Sequence, residues 1–300
     1  MTLAADNRTV DRYPTRVTGE FALLRREDPV VFGRPGEGPC DADTLAGFDQ
    51  NGFLTVEELL TAEEVAHCSD ELRRLGESAE LESDERVIVE PGSQEIRSVF
   101  EVHKISERFA DLVRDPRVVR RARQILGSEV YVHQSRVNFK PGLDGKEFYW
   151  HSDFETWHAE DGMPAPRAVS ISIALTDNHH VNSPLMIMPG SHRTFVACVG
   201  ETPDDHHKES LRRQEIGTPD PVSLVTLGQQ HGIVDFPGPA GSAVMFDSNC
   251  MHGSNSNITP FARSNVFIVF NSTENTLIEP FAASRPRPEH IASRKFTPVS

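Results

Sequence analysis

The sequence predicts a mainly β domain with flanking helices, a jelly-roll-like sandwich, on three observations. Apolar residues recur at helical spacing up to about Gly127 and at a spacing of two thereafter. Residues 168–175 alternate sharply, with Val169, Ile171, Ile173 and Leu175 on one side and Ala168, Ser170, Ser172 and Ala174 on the other. One face of that strand is bulky and the other leaves room for a ligand. Further short apolar runs at 185–188, 242–246 and 264–271 are bounded by Pro, Gly and Asn. Helices first and many short strands afterwards suit packed antiparallel sheets better than alternating βα units.

Taken in chain order, residues 1–40 carry Pro14, Pro29, Pro35 and Pro39 among several glycines and read as an arm laid over the surface. Thr61 and Glu64 form a capping-box pair ahead of Val65, Leu72 and Leu75, which predicts a helix over 62–76. A second helical stretch covers roughly 105–113, and Pro116 and Gly127 bracket a third. Over 131–140 the alternation puts Gln134, Asn138 and Lys140 on one face of a strand, with Val137 and Phe139 on the other. Between 194 and 231 the periodicity gives way to charge, proline and histidine, which reads as a structureless lid. His206 and His207 inside it, like His179 and His180 before it, read as solvated loop residues. The expected organisation is one domain over 1–300: an N-terminal arm and helical buttress over 1–127, a jelly-roll core over 128–275 that includes the lid, and a C-terminal tail over 276–300.

Composition narrows the function classes. With 300 residues, 37% of them hydrophobic, the chain can bury a substantial core, and no linker-like stretch divides it. A formal charge of −15 opposes phosphate backbones and anionic bilayers, so neither nucleic acid nor a membrane surface is an expected partner. Nowhere do about 18 apolar residues run together. Cys40, Cys68, Cys198 and Cys250 form no Cys-x-x-Cys pair, and Met1 to Glu20 lacks an apolar signal core. A reducing, cytoplasmic setting is therefore expected. Oligomeric state is left open, a homodimer included.

The chemistry concentrates at His151-Ser152-Asp153, His252 and Arg263. Residues two apart on an extended segment point the same way, so His151 and Asp153 can offer an imidazole nitrogen and a carboxylate oxygen to one metal. His252 follows the apolar run 243–246, where a strand would end at a cavity mouth, and offers a third ligand. Two imidazoles and one carboxylate, with positions left open, form the facial arrangement of non-haem Fe(II) oxygenases. Arg263, eleven residues beyond His252, supplies a planar fork for a carboxylate. A lone His-x-Asp is an ordinary turn pattern; the aromatic run Phe148-Tyr149-Trp150 before it and the His-to-Arg interval after it set this one apart. A rival pair, His158 and Glu160, abuts Asp161-Gly162-Met163-Pro164 and reads as part of a turn.

The stretch from Phe148 to Pro164, continuing through Arg167-Ala168-Val169-Ser170, closely resembles the signature of bacterial ectoine hydroxylases within the phytanoyl-CoA dioxygenase superfamily. Pro189-Gly190-Ser191-His192 and the His252-to-Arg263 interval resemble that superfamily as well, and the likeness extends from about residue 10 to residue 295. Pro166 departs from it, standing where the family pattern leads one to expect Met, which touches only local loop shape. The resemblance implies a double-stranded β-helix, the cupin-like jelly roll, and a dioxygenase that uses Fe(II), 2-oxoglutarate and O2. Its implied reaction is hydroxylation of the compatible solute ectoine to 5-hydroxyectoine, with release of succinate and CO2, in protection against osmotic and thermal stress.

By the same resemblance the iron ligands match His151, Asp153 and His252. The 2-oxoglutarate site matches Arg263 and Ser254, with Asn138 and Lys140 beside them, and the ectoine site matches Gln134, Trp157, Ser172 and Phe270. Ectoine carries a delocalised amidinium and a carboxylate on a small ring, so an aromatic face and a few amide or hydroxyl groups suit it. Related halogenases carry a small residue in place of the carboxylate ligand, so Asp153 points to hydroxylation. Three alternatives are a hydroxylase of another small amino-acid-like substrate, a zinc-dependent hydrolase or isomerase, and a non-catalytic solute-binding jelly roll. The zinc reading leaves Arg263 and Ser254 without a role.

Overall fold

The structure, a computed structural model, describes residues 10–78, 81, 83–90, 95–212 and 215–300; the first nine residues of the Met1 to Glu20 segment lie outside them. Thirteen strands are named among these residues: β1 (Ala22–Arg25), β2 (Phe53–Val56), β3 (Val87–Val89), β4 (Ile96–Phe100), β5 (Val130–Lys140), β6 (Phe148–His151), β7 (Ala168–Ala174), β8 (Met186–Ile187), β9 (Thr194–Ala197), β10 (Val234–Asp235), β11 (Ala243–Asp247), β12 (His252–Ser254) and β13 (Arg263–Ser272). A seven-stranded sheet runs β2-β11-β7-β13-β5-β4-β3 and a four-stranded sheet β10-β8-β12-β6. All their pairings are antiparallel, as the jelly-roll expectation requires.

Helices cover one face of the large sheet. They are α1 (Ala42–Asn51), α2 (Ala62–Gly76), α3 (Val102–Ile105), α4 (Glu107–Arg114) and α5 (Pro116–Leu126). The capping box at Thr61 and Glu64 is formed in both directions, and α2 has the predicted bounds. Asp115 caps α5, Pro116 opens it and Gly127 closes it at φ 59°. The predicted stretch 105–113 is two helices, because Ser106 turns to an extended conformation and caps α4 with its own side chain. Leu72, Phe109, Val118 and Ile125 from these helices meet Val137, Ile171, Val266 and Phe270 from the sheet in the main core.

Two expectations are corrected. Residues 10–40 are no surface arm: Tyr13 is fully buried and packs on Phe154 and Phe195, and β1 pairs with β9. Nor is 194–231 structureless. It contains β9, α7 (His207–Ser210) and α8 (Pro221–His231), the last capped by Asp220 with Pro221 in its first turn. His206 is buried, whereas His180 is exposed and meets Asp235.

The segment after Asp153 is helical. The turn α6 (Asp153–Thr156) runs into a π-helical turn, Trp157–Asp161, whose residues are all buried. His158 and Glu160 therefore sit in packed helix, not in the turn the sequence suggested. His158 stacks on Phe281 and meets Asp11, while Glu160 meets Arg16. Gly162 ends this segment at φ +80°, where a Cβ would lie 2.2 Å from the Ile278 carbonyl oxygen.

Arg16 ties the N-terminal segment to this helical unit. Its Nε donates to Glu155 Oε1 at 2.6 Å and its Nη2 to Glu160 Oε1 at 3.1 Å, with all three side chains at most 3% exposed. Burial alone would raise the Glu155 pKa, but the Arg16 guanidinium holds it below the ordinary value. Arg16→Met should leave two buried carboxylates uncompensated, at a cost of about 3–5 kcal/mol in urea unfolding at neutral pH. A depressed carboxylate pKa stabilises the fold above the ordinary Glu value of about 4.3, and that stabilisation fades as pH falls below it. The gap between variant and parent should accordingly narrow on acidification, and a constant gap would refute this assignment.

Candidate metal centre and co-substrate pocket

Three side chains converge between the sheets. His151 ends β6 and His252 begins β12, and the two are direct partners across that strand pair. Asp153 starts α6 two residues beyond His151, so its carboxylate swings in from the adjoining helix. One ligand atom from each lies within 4.8 Å of the others. His151 Nε2 is 3.6 Å from Asp153 Oδ1 and His252 Nε2 is 3.8 Å from Asp153 Oδ2, too far for hydrogen bonds and spaced to share an ion.

The surroundings favour a metal. His151 Nδ1 lies 2.6 Å from the Tyr149 carbonyl oxygen and His252 Nδ1 3.0 Å from that of Cys250, which assigns the proton to Nδ1 in each ring and leaves Nε2 as the donor. Burial and the neighbouring His151 push the His252 pKa down to about 4, so its imidazole is neutral at neutral pH. Burial would raise the Asp153 pKa, yet His252 and His151 hold it well below the carboxylate range. Ser170 Oγ donates to Asp153 Oδ2 at 3.2 Å and fixes the carboxylate from β7. Two imidazoles that present Nε2 and one carboxylate suit a divalent transition metal, with the rest of its coordination sphere free for ligands.

Beside the triad lies a narrow pocket lined by Arg136, Asn138, Phe148, His151, Leu185, His252, Gly253, Ser254, Arg263 and Phe267. Arg263 is buried, and burial pushes its pKa down to about 10, so it remains charged at neutral pH. Among the described residues it meets no carboxylate; its one hydrogen bond goes from Nη1 to Asn265 Oδ1 at 3.3 Å, and Nε has no partner. Lys140 stands behind the pocket wall, donating from Nζ to Ser254 Oγ and the Asn255 carbonyl oxygen at 2.7 and 2.6 Å. Arg136, its pKa lowered by burial, lies over the Phe267 ring with Cζ 5.2 Å from the ring centre. A buried guanidinium without a carboxylate, next to a metal site, calls for an anionic ligand.

The structure therefore gathers His151, Asp153 and His252 at the metal position and Asn138, Ser254 and Arg263 along one pocket, with Lys140 acting through Ser254. Gln134 and Trp157 are not among the residues that line that pocket. Gln134 Nε2 donates to the Ile291 carbonyl oxygen and its Oε1 accepts from Arg136, while Trp157 packs edge-on against His133. Ser172 and Phe270 are not brought to the triad. Ser172 accepts a hydrogen bond from Asn265 and faces a separate cavity, and Phe270 packs into the helix-side core beside Val169. Strand parity was the available signal: Arg263, Asn265 and Phe267 share one face of β13, and Phe270 lies on the other. The same rule adds Arg136 to Gln134 and Asn138. Ser170 was visible on the small side of β7, and only the geometry distinguishes it from Ser172.

Fold and site together define a mononuclear, metal-dependent oxygenase on a jelly-roll scaffold, with an anion pocket beside the metal. Residues 48–265 match the phytanoyl-CoA dioxygenase (PhyH) family, and the chain belongs to that family. It is 60% identical over 300 residues to the ectoine dioxygenase of Streptomyces coelicolor, covering 100% of both chains. To that of Nocardia farcinica it is 59% identical over 290 residues, covering 97% of this chain and 96% of the relative. Among solved structures it resembles EctD from S. alaskensis with 2-oxoglutarate and 5-hydroxyectoine at TM-score 0.86 and 44% identity, over 95% of each chain. The same enzyme with bound Fe matches at TM-score 0.86 and 43% identity, over 96% of each chain.

The Ser170 contact gives the first test of the metal centre. Ser170→Ala removes the only side-chain hydrogen bond that the described residues give Asp153, and ligand-orienting partners of this kind are worth about 10–100-fold in metal affinity. Anaerobic titration with Fe(II) or Co(II) should show that loss with an unchanged unfolding midpoint for the metal-free protein.

Proposed function

We propose that this protein is the Fe(II)- and 2-oxoglutarate-dependent hydroxylase that converts ectoine to 5-hydroxyectoine, releasing succinate and CO2. The observation that carries the reading is the pairing of a two-His, one-carboxylate triad with a buried, carboxylate-free arginine in one pocket. Full-length likeness to ectoine dioxygenases supports the choice of substrate. Acting on a compatible solute, the enzyme belongs to the cytoplasm and to the response to osmotic and thermal stress.

His151, Asp153 and His252 would hold Fe(II) on one side, which when bound supplies O2 activation for the coupled decarboxylation and hydroxylation. Arg263 pairs the distal carboxylate of 2-oxoglutarate, and Ser254, steadied by Lys140, offers a hydroxyl beside it. Phe148 and Leu185 exclude water from the pocket, so the ion pair forms in a low dielectric. Trp157 and Gln134 are the groups for the substrate ring, and Phe267, which lines the pocket with His151 and His252, is an aromatic wall near the metal position. Residues 202–207, which meet the tail through Asp204–Ser284 and Asp205–Arg285, serve as the movable part of the lid.

The decisive experiment supplies Fe(II), 2-oxoglutarate, O2 and ectoine to anaerobically purified protein. The expected product is heavier by one oxygen atom, with succinate formed in equal amount. A zinc enzyme or a binding protein would release no succinate. Asp153→Ala should abolish turnover and metal binding together; if Glu160→Ala did so instead and Asp153→Ala stayed active, the metal would belong to the other pair.

Arg263→Gln tests the co-substrate anchor. Leaving a buried carboxylate without its partner costs about 3–5 kcal/mol, so 2-oxoglutarate affinity should fall roughly 10²–10³-fold or more. Iron content and ectoine affinity should change far less. Affinity within a few-fold of the parent would transfer the role to another cation, Lys140 first.

A further inference from the structure

We propose that Asn265 and Ser172 form a positioning relay that sets the orientation of Arg263 and thereby selects for a co-substrate with a distal carboxylate. The proposal rests on the 2-oxoglutarate reading above. Arg263, Asn265 and Phe267 share the inner face of β13, and Asn265 is the partner of Ala174 across β7, with Ser172 directly opposite Phe267. Asn265 Oδ1 accepts from Arg263 Nη1 at 3.3 Å, and Asn265 Nδ2 donates to Ser172 Oγ at 2.9 Å. Arg263, Asn265 and Ser172 are 5%, 3% and 3% exposed.

The polarity of this chain is informative. Arg263 can only donate, which obliges the Asn265 carbonyl to face it and accept, and the Ser172 hydroxyl, able to accept, takes the amide N–H2. A flipped amide would present N–H2 to a guanidinium, donor against donor. Arg263 thus sets which end of Asn265 it meets, and Ser172 holds the other end in place. With Nε unpartnered and no carboxylate nearby among the described residues, Asn265 is the only hydrogen-bonding group there that restrains the fork.

A neutral acceptor is also the right chemistry for this position. Asp in its place would pair with Arg263 and compete with the incoming carboxylate, whereas Asn orients the guanidinium and leaves its charge free. Behind the relay lies a cavity of about 360 Å³ whose lining includes Ser172, Asn178, Leu185, Phe236, Val244 and Asn265 together with Glu57 and Glu58. Ser172 and Asn265 are therefore the wall between the anchor and that space, and without their bond the arginine could swing away from the pocket.

The test compares two ligands on the metal-loaded protein under anaerobic conditions: 2-oxoglutarate, and 2-oxovalerate, which lacks the distal carboxylate. Losing a hydrogen bond to a charged group corresponds to roughly 10–100-fold in affinity, so Asn265→Ala should weaken 2-oxoglutarate by that factor. Its affinity for 2-oxovalerate should stay at the parent value. Asn265→Asp should weaken 2-oxoglutarate more than Asn265→Ala does, and Ser172→Ala less, again with 2-oxovalerate unaffected. In turnover the KM for 2-oxoglutarate should rise while the KM for ectoine and the iron content hold. Equal losses for both ligands would reduce Asn265 to a structural residue and overturn the proposal, as would parent-like 2-oxoglutarate affinity in Asn265→Ala. Failure of the parent protein to bind 2-oxoglutarate would instead overturn the co-substrate reading itself.

Discussion

The register that sets His252 opposite His151 is the constraint on which the site depends. Both rings approach one point because β12 and β6 are antiparallel neighbours in the small sheet, and β12 is held from its other side by β8, with His252 opposite Ile187. A slip of one residue would turn His252 to the other face and remove a ligand. The irregularity between His252 and Ser254 then lets the strand resume pairing at Phe148, so that Ser254 stays beside the pocket that Phe148 lines. Asp153 completes the triad only because the chain leaves β6 at Ser152 and turns into helix.

Charge follows from that geometry. One carboxylate faces two imidazoles at the metal position, and Arg263, Arg136 and Lys140 cluster nearby, Arg263 without a carboxylate partner. Burying unpaired cations costs stability in the empty protein, as the lowered pKa values of Arg263 and Arg136 record. Binding of a divalent metal and a dianionic co-substrate removes that cost, so the liganded protein is more stable than the empty one by linkage. Other buried arginines among the described residues have carboxylate partners: Arg16 meets Glu155 and Glu160, Arg26 meets Asp247, Arg97 meets Glu90 and Arg287 meets Asp161, each pair buried.

What the sequence made legible is what local pattern encodes. The capping box delimited α2, alternation located β5 and β7, and the spacing of His151, Asp153, His252 and Arg263 identified the metal position and the anion pocket. The burial of Tyr13 and Arg16 was not legible, because their partners lie about 140 residues away and prolines nearby suggest a surface segment. Nor was the bulge in β5: Gln134 pairs with Val269 and Val132 with Phe270, which leaves His133 extra and puts it against Trp157. The assignments of Ser172 and Phe270 to the substrate came from resemblance; parity along β13 separates Phe270 from Phe267, whereas Ser170 and Ser172 share a face of β7 and only the Ser170 contact with Asp153 tells them apart.

The pocket beside the triad and the surroundings of Trp157 and Gln134 differ in what builds them. The co-substrate side is made by β5, β12 and β13, strands deep in hydrogen-bonded sheet, so its shape is as stable as the fold. Around Trp157 and Gln134 the walls come from the chain's two ends. Arg16 and Tyr13 brace the helical unit that carries Trp157, Arg287 grips Asp161 with bonds of 2.8 and 2.6 Å, and the Ile291 carbonyl holds the Gln134 amide. These contacts connect segments more distant in sequence and less tied into sheet than β5, β12 and β13. The pocket that Arg263 lines is thus walled by sheet, whereas the surroundings of Trp157 and Gln134 are closed by the first and last described segments of the chain.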